Sequence, residues 1–129
     1  MVNIGIKMEV NMKFSGNISF FGTNDLEKTY RFYNRLLNLK LYKDQGSCHI
    51  YKISEGGMIG FCNHIKVLNE YHSPIITLLT ENVDYAYEKM LEAGVDIEKE
   101  PEEKEEFNIY HFFALDPNGY TVEVQKFLK

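Results

Sequence analysis

No apolar run in the chain approaches the roughly 20 residues that cross a bilayer, and its start lacks the apolar core of a secretory signal. The expected location is therefore the cytoplasm, with no membrane partner. Clustered basic residues are also missing: 14 Lys and Arg stand against 19 Asp and Glu, the net charge is -5, and the lysines are dispersed. A nucleic-acid partner is excluded on that ground, because phosphate-backbone binding draws on grouped Lys and Arg. The two cysteines, Cys48 and Cys62, match neither a CxxC pair nor a four-ligand zinc spacing, so buried thiols are the expected state and a disulfide the alternative. Nor do His49, His64, His72 and His111 form a close pair such as HxH or HExxH.

What the chain does contain is one domain's worth of alternating strand and helix signals. Its 129 residues suffice to bury about two-thirds of the surface of the unfolded form. Ile18-Ser19-Phe20-Phe21 reads as a buried strand and is ended by Gly22-Thr23-Asn24-Asp25. Asp25 then caps a helix with Leu26, Tyr30, Tyr33 and Leu37 on one stripe. Leu39 to Tyr42, Cys48 to Ile53 and Met58 to Cys62 are strand-like and separated by Gly-containing turns.

The same order then recurs. Pro74 to Leu79 is a strand, Asn82 a cap, and Val83, Ala86, Tyr87, Met90 and Leu91 a helical stripe closed by Gly94. Val95 to Ile97, Ile109 to Leu115 and Tyr120 to Val124 follow, the last two joined by the turn Asp116-Pro117-Asn118-Gly119. Ile18 and Ile75, Leu26 and Val83, and Tyr30 and Tyr87 are each 57 positions apart (75-18, 83-26, 87-30). Gly56 and Gly119, and Gly60 and Glu123, are 63 apart (119-56, 123-60). The extra residues fall in the second copy, around Glu102 to Glu106. The acidic run Glu98 to Glu106, with Pro101, reads as a solvated loop or frayed strand without chemistry. The expected architecture is α+β: two βαβββ modules, about residues 17–66 and 73–126, forming a half-open barrel in a single domain over 17–126. Residues 1–16 are a leader or an extra edge strand.

Asp25-Leu26-Glu27 with Phe32-Tyr33, and Phe112 to Glu123 with its Asp116-Pro117-Asn118-Gly119, resemble the opening and closing motifs of the vicinal oxygen chelate superfamily. This superfamily includes glyoxalase I, bleomycin-resistance and fosfomycin-resistance proteins and extradiol dioxygenases. The resemblance covers about residues 17 to 126 and implies a fold that cups a small molecule, on which lyases, dioxygenases and non-catalytic drug binders are all built. It further implies that metal ligands, where a member has them, come from the first and last strands of each module. Those positions are here Ile18, Gly60, Ile75 and Glu123, three of which offer no donor. No cofactor is therefore expected, and a nickel, zinc, iron or manganese site is disfavoured. Dimeric relatives complete such cups across a two-fold axis, which implies a homodimer.

Strand alternation points Phe20, Met58, Gly60, Thr77, Leu79, Thr121, Glu123 and Gln125 into the cup as ligand-binding candidates. Glu123 is the candidate catalytic residue, since a carboxylate in an apolar cup can serve acid/base chemistry or pair with a cationic group on a ligand. The alternative is a structural carboxylate satisfied by Thr77, Thr121 or a tyrosine. His64 and His72 read as loop residues. His49 and His111 lie on strands with their faces open, Tyr51 and Tyr110 competing for the inward positions; either histidine beside Glu123 would make a metal-free acid/base pair. The leading expectation is a metal-free protein binding a small cationic or aromatic molecule. The alternative is an enzyme, either a metal-dependent lyase or dioxygenase or a metal-free one using Glu123. Phe32 and Tyr33 are expected to be core.

Overall fold

In the computed structural model, which describes residues 12–128, two units follow one another along the chain. The first is β1 (Asn17–Gly22), α1 (Leu26–Tyr30), β2 (Lys40–Asp44), β3 (Cys48–Ser54) and β4 (Gly57–Cys62). The second is β5 (Ile75–Leu79), α2 (Val83–Glu92), β6 (Ile97–Lys104), β7 (Ile109–Leu115) and β8 (Thr121–Phe127). Each forms a four-stranded mixed sheet, ordered β1-β4-β3-β2 and β5-β8-β7-β6. In each, the first and last strands run parallel and the remaining neighbours antiparallel. Neither sheet closes on itself, so the fold is α+β with two open sheets. Most of the expected leader lies in residues 1–11, outside the described residues; residues 12–16 carry no regular structure.

Local chemistry explains most boundaries. Asp25 starts α1 by accepting from the Lys28 backbone N–H at 2.9 Å, a cap worth about 1 kcal/mol. Gly94 ends α2 at φ +77, with Val95 N–H reaching back to the Met90 carbonyl at 3.0 Å. Asn82 differs from expectation: its side chain makes no cap bond, and its backbone N–H instead donates to Thr80 Oγ1 at 3.1 Å.

Three further departures matter. The first helix is α-helical for only five residues and continues as a π-helix over Arg31–Leu36. Leu37 N–H there reaches back five residues to the Phe32 carbonyl at 3.0 Å, and Phe32 and Tyr33 are both buried. The acidic run is largely strand: β6 pairs with β7 along an edge, with register shifts between Ile97 and Lys99 and between Lys99 and Glu102, the second spanning Pro101, which cannot donate to a ladder. Third, Cys48 and Cys62 face each other across β3 and β4, Cα atoms 4.0 Å apart, and are joined as a disulfide. Cysteine spacing along the chain is blind to such cross-strand pairing.

The core lies between sheets and helices. Tyr33, Tyr51, Phe61 and Tyr120 are fully buried, Tyr33 stacking on Phe61 with centroids 4.7 Å apart. The Asp116 to Gly119 turn, with Gly119 at φ +85, forms as expected and also docks the second unit on the first. Tyr33 donates to Asp116 Oδ2 at 2.7 Å, Tyr120 OH to the Gly22 carbonyl at 2.8 Å, and Thr23 Oγ1 to Asn118 Oδ1 at 2.6 Å.

Candidate functional site

The faces of the strands decide what can meet a ligand. In β1, Phe21 packs inward on Phe61 and Tyr120, leaving Ile18 and Phe20 on the opposite, cup face. In β5 the buried Ile76 leaves Ile75, Thr77 and Leu79 on that face, with Ile75 and Leu79 47% and 62% exposed. β7 contributes Ile109, His111 and Phe113, and β8 contributes Thr121, Glu123 and Gln125. A cavity of about 620 Å³ opens on this side of the second sheet, lined by Ile75, Ile109, Phe113 and Phe127 among its apolar residues and by His111, Glu123, Gln125, Lys99 and Lys104 among its polar ones.

His111 and Glu123 are its chemical centre. His111 Nδ1 lies 2.6 Å from Glu123 Oε2, and Thr77 Oγ1 donates to Glu123 Oε1 at 2.7 Å. Both members of the pair are buried. When Glu123 is ionised it can only accept, and the proton of this bond then sits on His111 Nδ1. The other nitrogen, Nε2, is buried and has no hydrogen-bond partner among the described residues. A neutral imidazole held this way presents a lone pair at Nε2; a protonated one presents a donor. Phe113 sets its ring edgewise to the imidazole at 5.0 Å and limits its rotation.

The first sheet carries no such pair. A Cβ at Gly60 would meet two atoms of the Phe20 ring at 2.6 Å, so Phe20 occupies the space that a side chain from Gly60 would need. This bears on the metal positions implied by the resemblance. Ile18 and Ile75 end in methyl groups, Gly60 has no side chain and no room for one, and both Glu123 oxygens are engaged by Thr77 and His111. That donor set does not fit a divalent ion.

Of the eight ligand-binding candidates, Glu123 and Gln125 line the main cavity, and Thr77 reaches it through Glu123. Thr121 lines an adjoining cavity with Ile75, Glu98, Lys99 and Phe113, and its hydroxyl donates to Glu98 at 3.2 Å. Met58 lines a smaller cleft between the sheets together with Thr77. Phe20 and Gly60 pack on each other, and Leu79 projects from the cup face. His49 faces the other way, onto Tyr30 and Tyr51. Tyr110 also points to the helix side, donating to Asp84 at 2.5 Å. Lys99, Lys104 and Phe107 were not among the sequence candidates, because the acidic run read as featureless. Their signal was the two lysines and the flanking aromatic inside that run.

A profile of the Glyoxalase/Bleomycin resistance protein/Dioxygenase superfamily matches residues 18–124. No curated protein matches the chain. Among solved structures, the chain is similar to an integron cassette protein from the mobile metagenome of the Halifax Harbour sewage outfall, at 17% identity and TM-score 0.73, covering 86% of this chain and 97% of that one. A glyoxalase/bleomycin resistance protein/dioxygenase from Alicyclobacillus acidocaldarius is 15% identical at TM-score 0.72, with coverage of 88% and 92%. One from Nocardioides is 18% identical at TM-score 0.69, with coverage of 93% and 87%. At these identities the likeness is one of fold.

Proposed function

The chain belongs to the glyoxalase/bleomycin resistance protein/dioxygenase superfamily, and on that premise we propose that it binds a small molecule in the second sheet's cup, held by His111, without a metal at the four ligand positions. The observation that carries this reading is the 2.6 Å His111–Glu123 contact at the wall of an apolar cavity, with Nε2 left unpartnered among the described residues. Ile75, Ile109, Phe113 and Phe127 suit a flat apolar body. Lys104 enters from β6 beside Lys99, which is paired with Glu102 at 2.8 Å, while the Glu123 carboxylate is already engaged, so the cavity favours an anionic group over the cationic one that the net charge suggests. An aryl carboxylate is the simplest ligand of this description.

The same contact supports a second reading, metal-free general base catalysis. A carboxylate on Nδ1 fixes the direction of Nε2, which is the arrangement a proton-abstracting imidazole needs. Glu123 is then a positioning residue. Ile18, Phe20, Ile75 and Leu79 leave the cup face apolar and partly exposed, and a second copy of the chain is the proposed cover.

The test is a thermal-shift and calorimetric screen with aryl carboxylates in the presence of a chelator. At least one should raise the Tm, by an amount that grows with concentration, and His111→Ala should abolish the shift. A panel without any stabilising member sinks the binding reading. Stoichiometric nickel, zinc, iron or manganese that is lost on Glu123→Gln substitution would restore the metal-dependent alternative.

A further inference from the structure

The two sheets superpose in register, and the comparison exposes a second set of reactive groups. The 63-residue offset that aligns Gly60 with Glu123 also aligns Cys48 with His111 and Cys62 with Gln125 (111-48, 125-62). The ladders agree, since Cys48 pairs with Cys62 as His111 pairs with Gln125. The cysteines thus occupy, on the first sheet, the places that hold polar cavity residues on the second. His64 follows β4 in a turn tied down by the Asn63 N–H to Ser47 carbonyl bond at 2.9 Å. That turn sets His64 Nδ1 4.0 Å from Cys48 Sγ, and one donor atom from each of Cys48, Cys62 and His64 lies within 4.8 Å of the others. In this structure the sulfurs are joined as a disulfide.

We propose that the dithiol form of this protein binds one zinc ion through Cys48, Cys62 and His64, and that the disulfide and the metal site are alternative states of the same residues. Zinc takes thiolate sulfur at about 2.3 Å and imidazole nitrogen at about 2.0–2.1 Å, so tetrahedral ligands stand roughly 3.5–3.8 Å apart. His64 already lies within half an ångström of that spacing from Cys48, and breaking the S–S bond lets the facing sulfurs separate to it by side-chain rotation. The cysteines are buried and His64 is exposed, which leaves the fourth position to water. Binding releases the two thiol protons. Oxidation by a low-molecular-weight disulfide balances as follows: the two protein thiolates give up two electrons and form one S–S bond, the oxidant's S–S bond breaks into two thiolates, and the ion is released.

Cobalt is the spectroscopic probe. Full-length protein, reduced and freed of reductant, should take up one equivalent of Co²⁺ with thiolate-to-cobalt charge-transfer bands and the visible bands of a tetrahedral ion, both bleached by Zn²⁺. Cys48→Ser and Cys62→Ser should each abolish the charge-transfer bands. His64→Ala, an exposed position whose loss leaves folding intact, should weaken apparent affinity by more than about tenfold, since even outer-shell partners of metal ligands contribute 10–100-fold. Oxidised glutathione added to the zinc form should release one ion per disulfide formed, read with a chromophoric chelator. Absence of charge-transfer bands in reduced wild type at stoichiometric cobalt overturns the proposal, as does unchanged affinity in His64→Ala.

Discussion

At the scale of single residues, Asp116 shows how burial and hydrogen bonding compete. Burial raises its carboxyl above the ordinary value of 3.8, while bonds from Tyr33, the Tyr120 and Asn118 backbone and the Asn118 side chain pull it down, and burial prevails. A carboxyl with a raised folded pKa holds its proton more tightly in the native state. Its contribution to stability is therefore full below the unfolded value and is lost as pH rises through the folded one. The Tm of wild type relative to Asp116→Asn should fall as pH rises from about 3.8; a flat difference would contradict this. Asp116→Ala, which leaves several buried donors unpaired, should cost about 3 kcal/mol in urea denaturation. Tyr33, raised by burial and then by Asp116, stays protonated and keeps donating. The DPNG turn was legible in the sequence, but its partners Thr23, Tyr33 and Gly22 were not. Those contacts join residues about 83 to 98 positions apart, and no local pattern encodes them.

At the scale of elements, Phe20 on β1 and Gly60 on β4 fill the first cup between them. Gly60→Glu, which restores a donor at a family ligand position, should lower stability by about 1–3 kcal/mol, because the new side chain must displace the Phe20 ring. Paired with Phe20→Ala the penalty should shrink, and a double-mutant cycle on Tm measures that coupling. Seven of the eight strands were readable because apolar residues alternate or run together in them. β6 was read only at its start, Val95 to Ile97, with a frayed strand as one alternative beyond it, since an edge strand of Glu and Lys carries no apolar period and its pairing is supplied by β7. The π-helix was hidden for a related reason: Leu26, Tyr30, Tyr33 and Leu37 satisfy an ordinary helical stripe, and the wider turn shows in the backbone, where Leu37 N–H reaches the Phe32 carbonyl. For His111, the period-2 rule gave two phases for β7, with tyrosine and histidine equally at home inside. The ladder pairing of Phe113 with Glu123 chooses between them.

At the scale of the whole molecule, the apolar cup faces predict self-association. Light scattering at micromolar concentration should give twice 15.1 kDa, and Leu79→Glu, at an exposed position on the cup face, should return the monomer with little loss of Tm. A monomeric wild type would refute the dimer. No helix among the described residues is long and apolar enough to cross a membrane. The two units are alike in backbone, yet Asp116, Asn118 and Tyr120 of the second bond to Tyr33, Thr23 and Gly22 of the first, while among the described residues the matching Glu55-Gly56-Gly57 turn shows no side-chain bond to the second unit. A key cut on one half alone cannot open its own copy. If the chain is severed between residues 66 and 73, the halves should therefore seek each other rather than their twins, and a mixture of the two fragments should regain the native near-ultraviolet dichroism that neither shows alone.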